Sequence, residues 1–216
     1  MSLWGRMFAA GYDRIMAAPE KAVLRGHRAA LIARANGSVL EIGGGTGANL
    51  PFYGPEVTEL VLTEPERPMA KRLEGKLTQY SFPASVLDAS AEELPFGDAR
   101  FDFVISTLVL CTVVDPQRAL AEIHRVLKPT GQLLFIEHVR SDESGLAKWQ
   151  DRLHGMQLRV GHGCHCNRRT LDSMQQAGLS ISELKRDQMR KAPPIVRPLV
   201  VGIAGLAQEM DRPEGG

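Results

Sequence analysis

The chain has 216 residues, of which 44% are hydrophobic and 24% are charged, a composition typical of globular proteins rather than disordered or disulfide-rich ones. Its 26 basic and 25 acidic residues give a formal net charge of +1, so no overall positive field would attract nucleic acid. Three cysteines suit a reducing compartment, and no apolar run reaches the roughly 20 residues that a membrane-spanning helix needs. We therefore expect a cytoplasmic protein, monomeric or homodimeric, with peripheral membrane contact left open.

Residues 1–35 predict helices, interrupted near Pro19, and the Asn36-Gly37 pair ends them. Short apolar strands then alternate with helices, and the tail 211–216 is expected to fray. The strands are predicted at 38–42, 59–63, 85–87, 101–106, 132–138 and 180–184, and the helices at 69–77, 116–127 and over most of 142–175, with a turn at 128–131. This alternation predicts an α/β fold with a mainly parallel sheet.

A glycine-rich loop follows the first predicted strand and contains Gly43, Gly45 and Gly47. Its spacing fits both a G-x-G-x-G loop and, with Ala48 in the last place, the dinucleotide pattern G-x-G-x-x-G/A. Glu64, about 20 residues further on, is an acid that can accept hydrogen bonds from ribose hydroxyls in either case. Glu41 favours a ligand with an ammonium or sulfonium charge, since a carboxylate is unfavourable beside a pyrophosphate.

Four segments occur in the order found in the class I S-adenosylmethionine (SAM)-dependent methyltransferases. They read VLEIGGGTGAN, LTEPERPMAKRL, ASAEELPFGDARFDFVIS and ALAEIHRVLKPTGQLLFIEHV, and they lie between residues 39 and 139. Through these four segments the chain resembles that family, and in particular proteins with a type-11 methyltransferase domain. The resemblance implies a Rossmann-like, mostly parallel seven-stranded sheet flanked by helices, formed by residues 38–210 and covered by an N-terminal helical lid, residues 1–37.

Within the family, GTGANLPFY, STLVLCTV and FIEHV look like the methyltransferase-like seven group, which the resemblance associates with alkyl-thiol methylation. Ubiquinone/menaquinone C-methyltransferases and phospholipid N-methyltransferases are more distantly similar. The implied activity is methyl transfer from SAM to a small, lipophilic acceptor, preferably a thiol. N-methylation of an aminophospholipid, C-methylation of a quinone and a SAM-binding domain without transfer activity remain alternatives, as does a small NAD-type oxidoreductase.

The resemblance also implies which residues hold the cofactor. The predicted set is Glu41, Gly43, Gly45, Gly47, Asn49, Glu64, Pro65, Ser90, Ala91, Glu92, Thr107 and Leu108. Three positions depart from the family pattern. Thr130 stands where the family commonly has the first glycine of Pro-Gly-Gly. Ser90 stands where an acidic residue often borders the adenine, and Cys111 stands where a histidine often follows the fourth strand.

Tyr12 and His138 are the predicted catalytic residues. Tyr12 is placed on the lid, where its ring would shield the sulfonium, and the alternative is that it only packs in the core. His138 ends a predicted central strand, where a neutral imidazole would take a proton from a thiol; the alternative is a structural role. Cys164 and Cys166 lie among histidines, but the segment lacks the second ligand pair of a structural zinc site, so we predict no metal.

Overall fold

This computed structural model describes residues 3–207, with side chains from residue 9 onward, so the predicted tail at 211–216 lies outside the described residues. The strands are β1 Gly37–Ile42, β2 Val57–Thr63, β3 Ala84–Leu87, β4 Phe101–Thr107, β5 Leu127–His138, β6 Leu179–Gln188 and β7 Pro198–Leu206. The helices are α1 Leu3–Pro19, α2 Arg25–Ile32, α3 Arg67–Leu77, α4 Pro116–Val126, α5 Ser144–Val160 and α6 Thr170–Gln176. A π-helical turn, Glu20–Leu24, joins α1 to α2.

The seven strands form one sheet in the order β3-β2-β1-β4-β5-β7-β6. The first five strands in this order pair in parallel, and β7 runs antiparallel to both of its neighbours. The mostly parallel seven-stranded sheet implied by the resemblance is therefore confirmed. The chain order reverses at β1, and in open α/β sheets a ligand binds beyond the carboxyl ends of the strands at such a switch point.

Two apolar layers cover the sheet, one on each face. Leu60, Leu62 and Ile105 face the layer that contains Ile32 of α2 and Leu73 of α3. Leu40, Val61, Val104 and Phe135 face the other layer, which contains Leu120 of α4 and Met174 of α6. Strands buried on both faces are apolar almost throughout, which is why the sequence shows runs rather than alternation there.

Helix α4 shows how local sequence fixes the boundary of an element. Asp115 precedes it, and a carboxylate oxygen of Asp115 accepts hydrogen bonds from the N–H groups of Gln117 and Arg118. Pro116 occupies the first helical position, where its missing N–H costs nothing. The end of the β4–α4 loop is thereby fixed, and this loop contributes to the site described below.

Two predictions from sequence were wrong in detail. The turn predicted at residues 128–131 is a bulge inside β5: Leu127 pairs with Phe101, and pairing resumes at Gln132 opposite Phe103. The apolar stretch that begins at Pro198, for which no strand was predicted, is β7 and lies between β5 and β6. No helix among residues 3–207 is long and apolar enough to cross a membrane.

Candidate active site

A cavity of about 640 Å³ opens where the parallel strands end, and its volume is within the range of small-molecule sites, about 300–1,000 Å³. Eleven of the residues predicted from sequence line it. These are Tyr12, Gly43, Gly45, Glu64, Pro65, Ser90, Ala91, Glu92, Thr107, Leu108 and His138. Glu41, Gly47 and Asn49 are not among the lining residues.

The glycine loop uses its first two predicted glycines differently. Gly43 has φ 57°, and a Cβ there would lie 2.6 Å from Cγ2 of Val109, so glycine lets the β1 and β4 loops pack together. Gly45 has φ 56°, and a Cβ there would meet nothing closer than a carbonyl oxygen at 3.9 Å. Open space at Gly45 gives a ligand direct access to the backbone.

Glu64 directly follows β2, and backbone N–H groups hold its carboxylate. One oxygen accepts a hydrogen bond from the N–H of Gly45 at 2.8 Å, and the other accepts one from the N–H of Glu66 at 2.8 Å. Burial raises the pKa of Glu64, and these two hydrogen bonds oppose the rise. Each oxygen retains acceptor capacity, so the pair can receive two adjacent hydroxyl groups from the cavity.

Glu41 supports the site from beneath. Its carboxylate accepts hydrogen bonds from Tyr53 Oη at 2.5 Å and Asn49 Nδ2 at 3.0 Å, and Asn49 Oδ1 accepts one from Arg28 at 2.6 Å. Arg28 also donates to Thr107 Oγ1 at 3.0 Å. Burial raises the pKa of Glu41 to about 7. These partners enclose the Glu41 side chain, which therefore supports the cavity without lining it.

The loop after β4 is organised by Glu137, a buried residue of β5. Its carboxylate accepts four hydrogen bonds, from Ser106 Oγ and from the N–H groups of Val109, Leu110 and Cys111, at 2.7–3.2 Å. Leu108 has a positive φ of 61°, which is strained for a leucine. Glu137 therefore fixes a loop conformation that brings Thr107 and Leu108 into the cavity wall.

The segment after β3 closes another side of the cavity. The N–H of Glu92 donates to Ser90 Oγ at 3.2 Å, and the carboxylate of Glu92 accepts a hydrogen bond from the N–H of Asp115 at 2.7 Å. Ala91 between them is buried. These contacts hold the segment against the start of α4.

Helix α1 forms a further wall. Tyr12 lies half-buried on it, and burial raises the pKa of Tyr12 to about 12, so the phenol stays neutral at physiological pH. The adjacent Asp13 accepts hydrogen bonds from Thr46 Oγ1 at 2.5 Å and Lys76 Nζ at 2.9 Å. The predicted lid helix is thus tied to the glycine loop and to α3.

A cluster of three buried residues, Cys111, His138 and Cys164, lies in the cavity wall at the end of β5. His138 Nδ1 is 3.5 Å from Cys164 Sγ and 3.8 Å from Cys111 Sγ, and the two sulfurs are 3.9 Å apart. The contact with Cys111, followed by His138, lowers the pKa of Cys164, whereas the contact with Cys164 and burial raise that of Cys111. The cluster therefore favours one thiolate. Cys166, which the sequence grouped with Cys164, does not line the cavity.

The remaining wall is mostly apolar, although Glu66, Thr112, Gln157, His162 and Lys191 also line the cavity. Met16, Val113, Met189 and Val196 contribute to it. At the mouth, Ile15, Val114 and Val160 line the cavity and yet are 64–87% exposed to solvent. A ligand with an alkyl part would cover these side chains.

Sequence reasoning did not single out three residues that support the site without lining the cavity, namely Arg28, Tyr53 and Glu137. Arg28 was hidden among the exposed basic residues of a helix, and Tyr53 lies in a loop with no regular pattern. Glu137 was assigned no role, although it lies beside His138 in the segment FIEHV. A buried charge at the end of an apolar strand is the signal that could have singled out Glu137, because such a charge must find partners.

Residues 40–135 match a family model described as a methyltransferase domain. The rat and mouse thiol S-methyltransferases TMT1B are both 35% identical, over 68% and 77% of this chain and 62% and 68% of their own lengths. Phosphatidylethanolamine N-methyltransferase of Cereibacter sphaeroides is 29% identical over 63% of this chain and 68% of its own length. UbiE of Proteus mirabilis, a ubiquinone/menaquinone biosynthesis C-methyltransferase, is 37% identical over 55% of this chain and 49% of its own length.

A solved structure has the same fold. It is a SAM-dependent methyltransferase from Thermotoga maritima, titled a possible histamine N-methyltransferase, and it superposes with a TM-score of 0.68 at 25% identity. The superposition covers 94% of this chain and 98% of the other. With 35% identity to the mouse protein over 68% of that protein's length, the resemblance seen in the sequence is confirmed, and the chain belongs to the SAM-dependent methyltransferase family.

Proposed function

We propose that this protein transfers the methyl group of SAM to the sulfur of a small, lipophilic thiol. The observation that carries the proposal is a single cavity with two unlike ends. One end is built from the glycine loop and Glu64, and the other combines apolar side chains with the cluster of Cys111, His138 and Cys164. Both substrates of a methyl transfer would therefore occupy one cavity.

The cofactor end fits the parts of SAM. Glu64 would receive the two ribose hydroxyls on its free lone pairs, and Gly45 would bring bare backbone to the methionine part. Pro65 and the segment from Ser90 to Glu92 would border the adenine. Gly47 and Asn49 would act on the loop rather than on the ligand. Glu41 would hold Asn49 in place and reach the ammonium only through Asn49 or water.

The acceptor end would orient a thiol for attack. SAM supplies an electrophilic methyl group on a sulfonium, and an acceptor sulfur held roughly 3 Å from that methyl can displace it in line. Thr107 and Leu108 lie between the two ends. Tyr12 would shield the reacting centre as a neutral phenol. His138 and its two cysteine neighbours would contact the sulfur of the acceptor.

A lipophilic acceptor is supported by the apolar wall and by the exposed side chains at the mouth. A thiol is further supported by the names of the rat and mouse relatives. We propose that residues 1–37 act as a lid on the domain formed by residues 38–210, because side chains of α1 line the cavity. Arg28 of α2 also belongs to this segment, and it donates a hydrogen bond to Thr107 in the cavity wall.

The test is an acceptor panel with SAM carrying a tritiated methyl group. The panel contains ethanethiol, octanethiol, octylamine, phosphatidylethanolamine vesicles and a hydroquinone. We expect product from octanethiol at a rate at least tenfold above that from the amine, the lipid and the quinol. Each buried methylene adds about 0.8 kcal/mol, which is about fourfold in kcat/KM, so octanethiol should also exceed ethanethiol.

Other results would redirect the assignment. Product from the phospholipid alone would support the second candidate, which the Cereibacter sphaeroides relative favours. S-adenosylhomocysteine binding without any methylated product would indicate a SAM-binding domain that does not transfer. Faster reaction with ethanethiol than with octanethiol would contradict the lipophilic pocket.

A further inference from the structure

The distances within the cluster of Cys111, His138 and Cys164 match the geometry of a metal site. A tetrahedral zinc ion with Zn–S of about 2.3 Å and Zn–N of about 2.0 Å separates two sulfur ligands by about 3.8 Å and sulfur from nitrogen by about 3.5 Å. Here the two sulfurs are 3.9 Å apart, and His138 Nδ1 lies 3.8 Å and 3.5 Å from them. The three atoms thus form one face of a tetrahedron of the right size.

The surroundings of the cluster support ligands rather than a chance contact. All three side chains are more than nine-tenths buried. Nδ1 of His138 points at both sulfurs, and Nε2 is buried without a hydrogen-bond partner among the residues whose side chains are described. Two thiols and an imidazole are soft and borderline donors of the kind that zinc takes from proteins.

Separate parts of the fold hold these ligands in place. The N–H of Cys111 donates to Glu137, and its carbonyl accepts a hydrogen bond from the N–H of His165 at 2.7 Å. Arg168 ties the same two loops together by donating to the carbonyl oxygens of Leu110 at 2.7 Å and Val113 at 2.6 Å. The positions of the donor atoms are therefore set before any ion arrives.

We propose that Cys111, Cys164 and His138 bind one Zn²⁺ ion, and that its fourth coordination position faces the cavity and receives the sulfur of the acceptor thiol. All three ligands line the cavity, so the fourth position is open to it. Structural zinc sites are closed by four protein ligands, whereas sites with three protein ligands keep one position for water or substrate. The part of this inference that concerns the acceptor rests on the proposed function.

The ion would activate the acceptor as a Lewis acid. The thiol loses its proton to solvent when its sulfur binds the ion, which stabilises the thiolate in the cavity. A bond then forms between that sulfur and the methyl carbon as the bond from the methyl carbon to the sulfonium sulfur breaks. The products are a thioether, a weaker ligand that leaves the ion, and S-adenosylhomocysteine. No oxidant or reductant takes part.

The sequence did not reveal this site because its ligands do not follow a short spacing. Cys111 and His138 are 27 residues apart, and His138 and Cys164 are 26 residues apart. The adjacent Cys166 suggested a local pair that the fold does not form. The ends of β4 and β5 bring Cys111 and His138 together, and the segment after α5 adds Cys164.

Cobalt(II) is the probe for the test, because bonds from thiolate to cobalt give charge-transfer absorption and a tetrahedral ion gives characteristic visible bands. The full-length protein is reduced, stripped of metal with a chelator and titrated with Co²⁺. We expect saturation at one equivalent. Cys111→Ser, Cys164→Ser and His138→Gln should each lower the affinity for Co²⁺ at least about tenfold. The matched control is Cys166→Ser, which alters a buried cysteine outside the cavity and should keep the wild-type spectrum.

The open position is tested by adding ethanethiol to the cobalt-loaded wild type. A third bond from sulfur to cobalt should raise the charge-transfer intensity by about half. An unchanged spectrum would contradict the open position. Absence of charge-transfer absorption in the wild type, or an unchanged cobalt affinity in Cys164→Ser, would overturn the metal site itself. Circular dichroism of every variant identifies any loss of cobalt affinity that comes from misfolding. The wild-type spectrum tests the metal site independently of the variants.

Binding of S-adenosylhomocysteine, measured in the same samples, separates this inference from the proposed function. A protein that binds Co²⁺ in the predicted way but not S-adenosylhomocysteine would contradict the proposed function and support the metal site. A protein that binds S-adenosylhomocysteine but shows no thiolate-bound cobalt would support the cofactor assignment and refute the metal site.

Discussion

The two ends of the cavity are built in different ways. The cofactor end consists largely of backbone and of side chains just beyond the strand that positions them, such as Gly45 after β1 and Glu64 after β2. The acceptor end joins side chains from α1, the β4 loop, the end of β5 and the segment after α5. A strand and its turn form a short sequence pattern, so the first end is recognisable in the sequence, whereas the second exists only once the chain has folded.

Glu137 holds the loop after β4, which contributes Thr107 and Leu108 to the cavity wall, and its removal should have the largest effect. Glu137→Ala would leave three backbone N–H groups and the Ser106 hydroxyl without their buried acceptor. We expect the free energy of unfolding to fall by about 3–5 kcal/mol in urea denaturation. Glu137→Gln keeps one acceptor oxygen and should lose less. Equal stability of Glu137→Ala and the wild type would show that this carboxylate does not organise the loop.

Gly43 tests whether the two ends are packed together. Gly43→Ala would place a Cβ 2.6 Å from Val109 at a positive φ, and we expect a loss of about 2–4 kcal/mol in unfolding free energy from overpacking and strain. The control is Gly54→Ala, since no heavy atom outside its chain neighbours lies within 4 Å of a Cβ at Gly54. Equal losses of unfolding free energy in the two variants would contradict the close packing of the loops after β1 and β4.

Glu41 tests the support beneath the cofactor end through its pH dependence. Burial raises the pKa of Glu41 to about 7, so the folded state holds a proton that an unfolded chain, with an ordinary carboxyl pKa of 4.5, releases earlier. The stability associated with this group is complete below pH 4.5 and is lost as pH rises through 7. Relative to Glu41→Gln, the wild type should lose on the order of 3 kcal/mol between pH 4.5 and pH 8. A pH-independent difference between the two proteins in urea denaturation would contradict this environment.

The sheet class was predicted correctly from the alternation of strands and helices. The glycine loop and Glu64 were singled out as a strand, a turn and an acid at fixed distances, and the structure brings them to one cavity. Sequence reasoning was less successful where distant residues meet. Arg28 beneath the site and Cys111 beside His138 depend on contacts between elements, and no spacing in the chain encodes them.

Contacts between distant elements also explain the two points at which the predicted strands differ from the observed ones. Residues 128–131 carry turn-forming residues, but pairing on both sides of them keeps the segment within β5 as a bulge. Residues 198–206 form an apolar run interrupted by Gly202 and Gly205, and pattern alone does not distinguish such a run from a segment of buried helix. Their place between β5 and β6 is decided by the sheet as a whole.

The most direct test of the central claim, that the cofactor end binds SAM, is calorimetric titration of the wild type and Glu64→Ala with S-adenosylhomocysteine. We predict one saturable site in the wild type and an affinity lower by about 1–3 kcal/mol in Glu64→Ala, because a charge-assisted pair of hydrogen bonds to the ribose is lost. Glu93→Ala, which removes an exposed carboxylate, should bind as the wild type does. Absence of saturable binding, or an affinity unchanged by Glu64→Ala, would contradict the account.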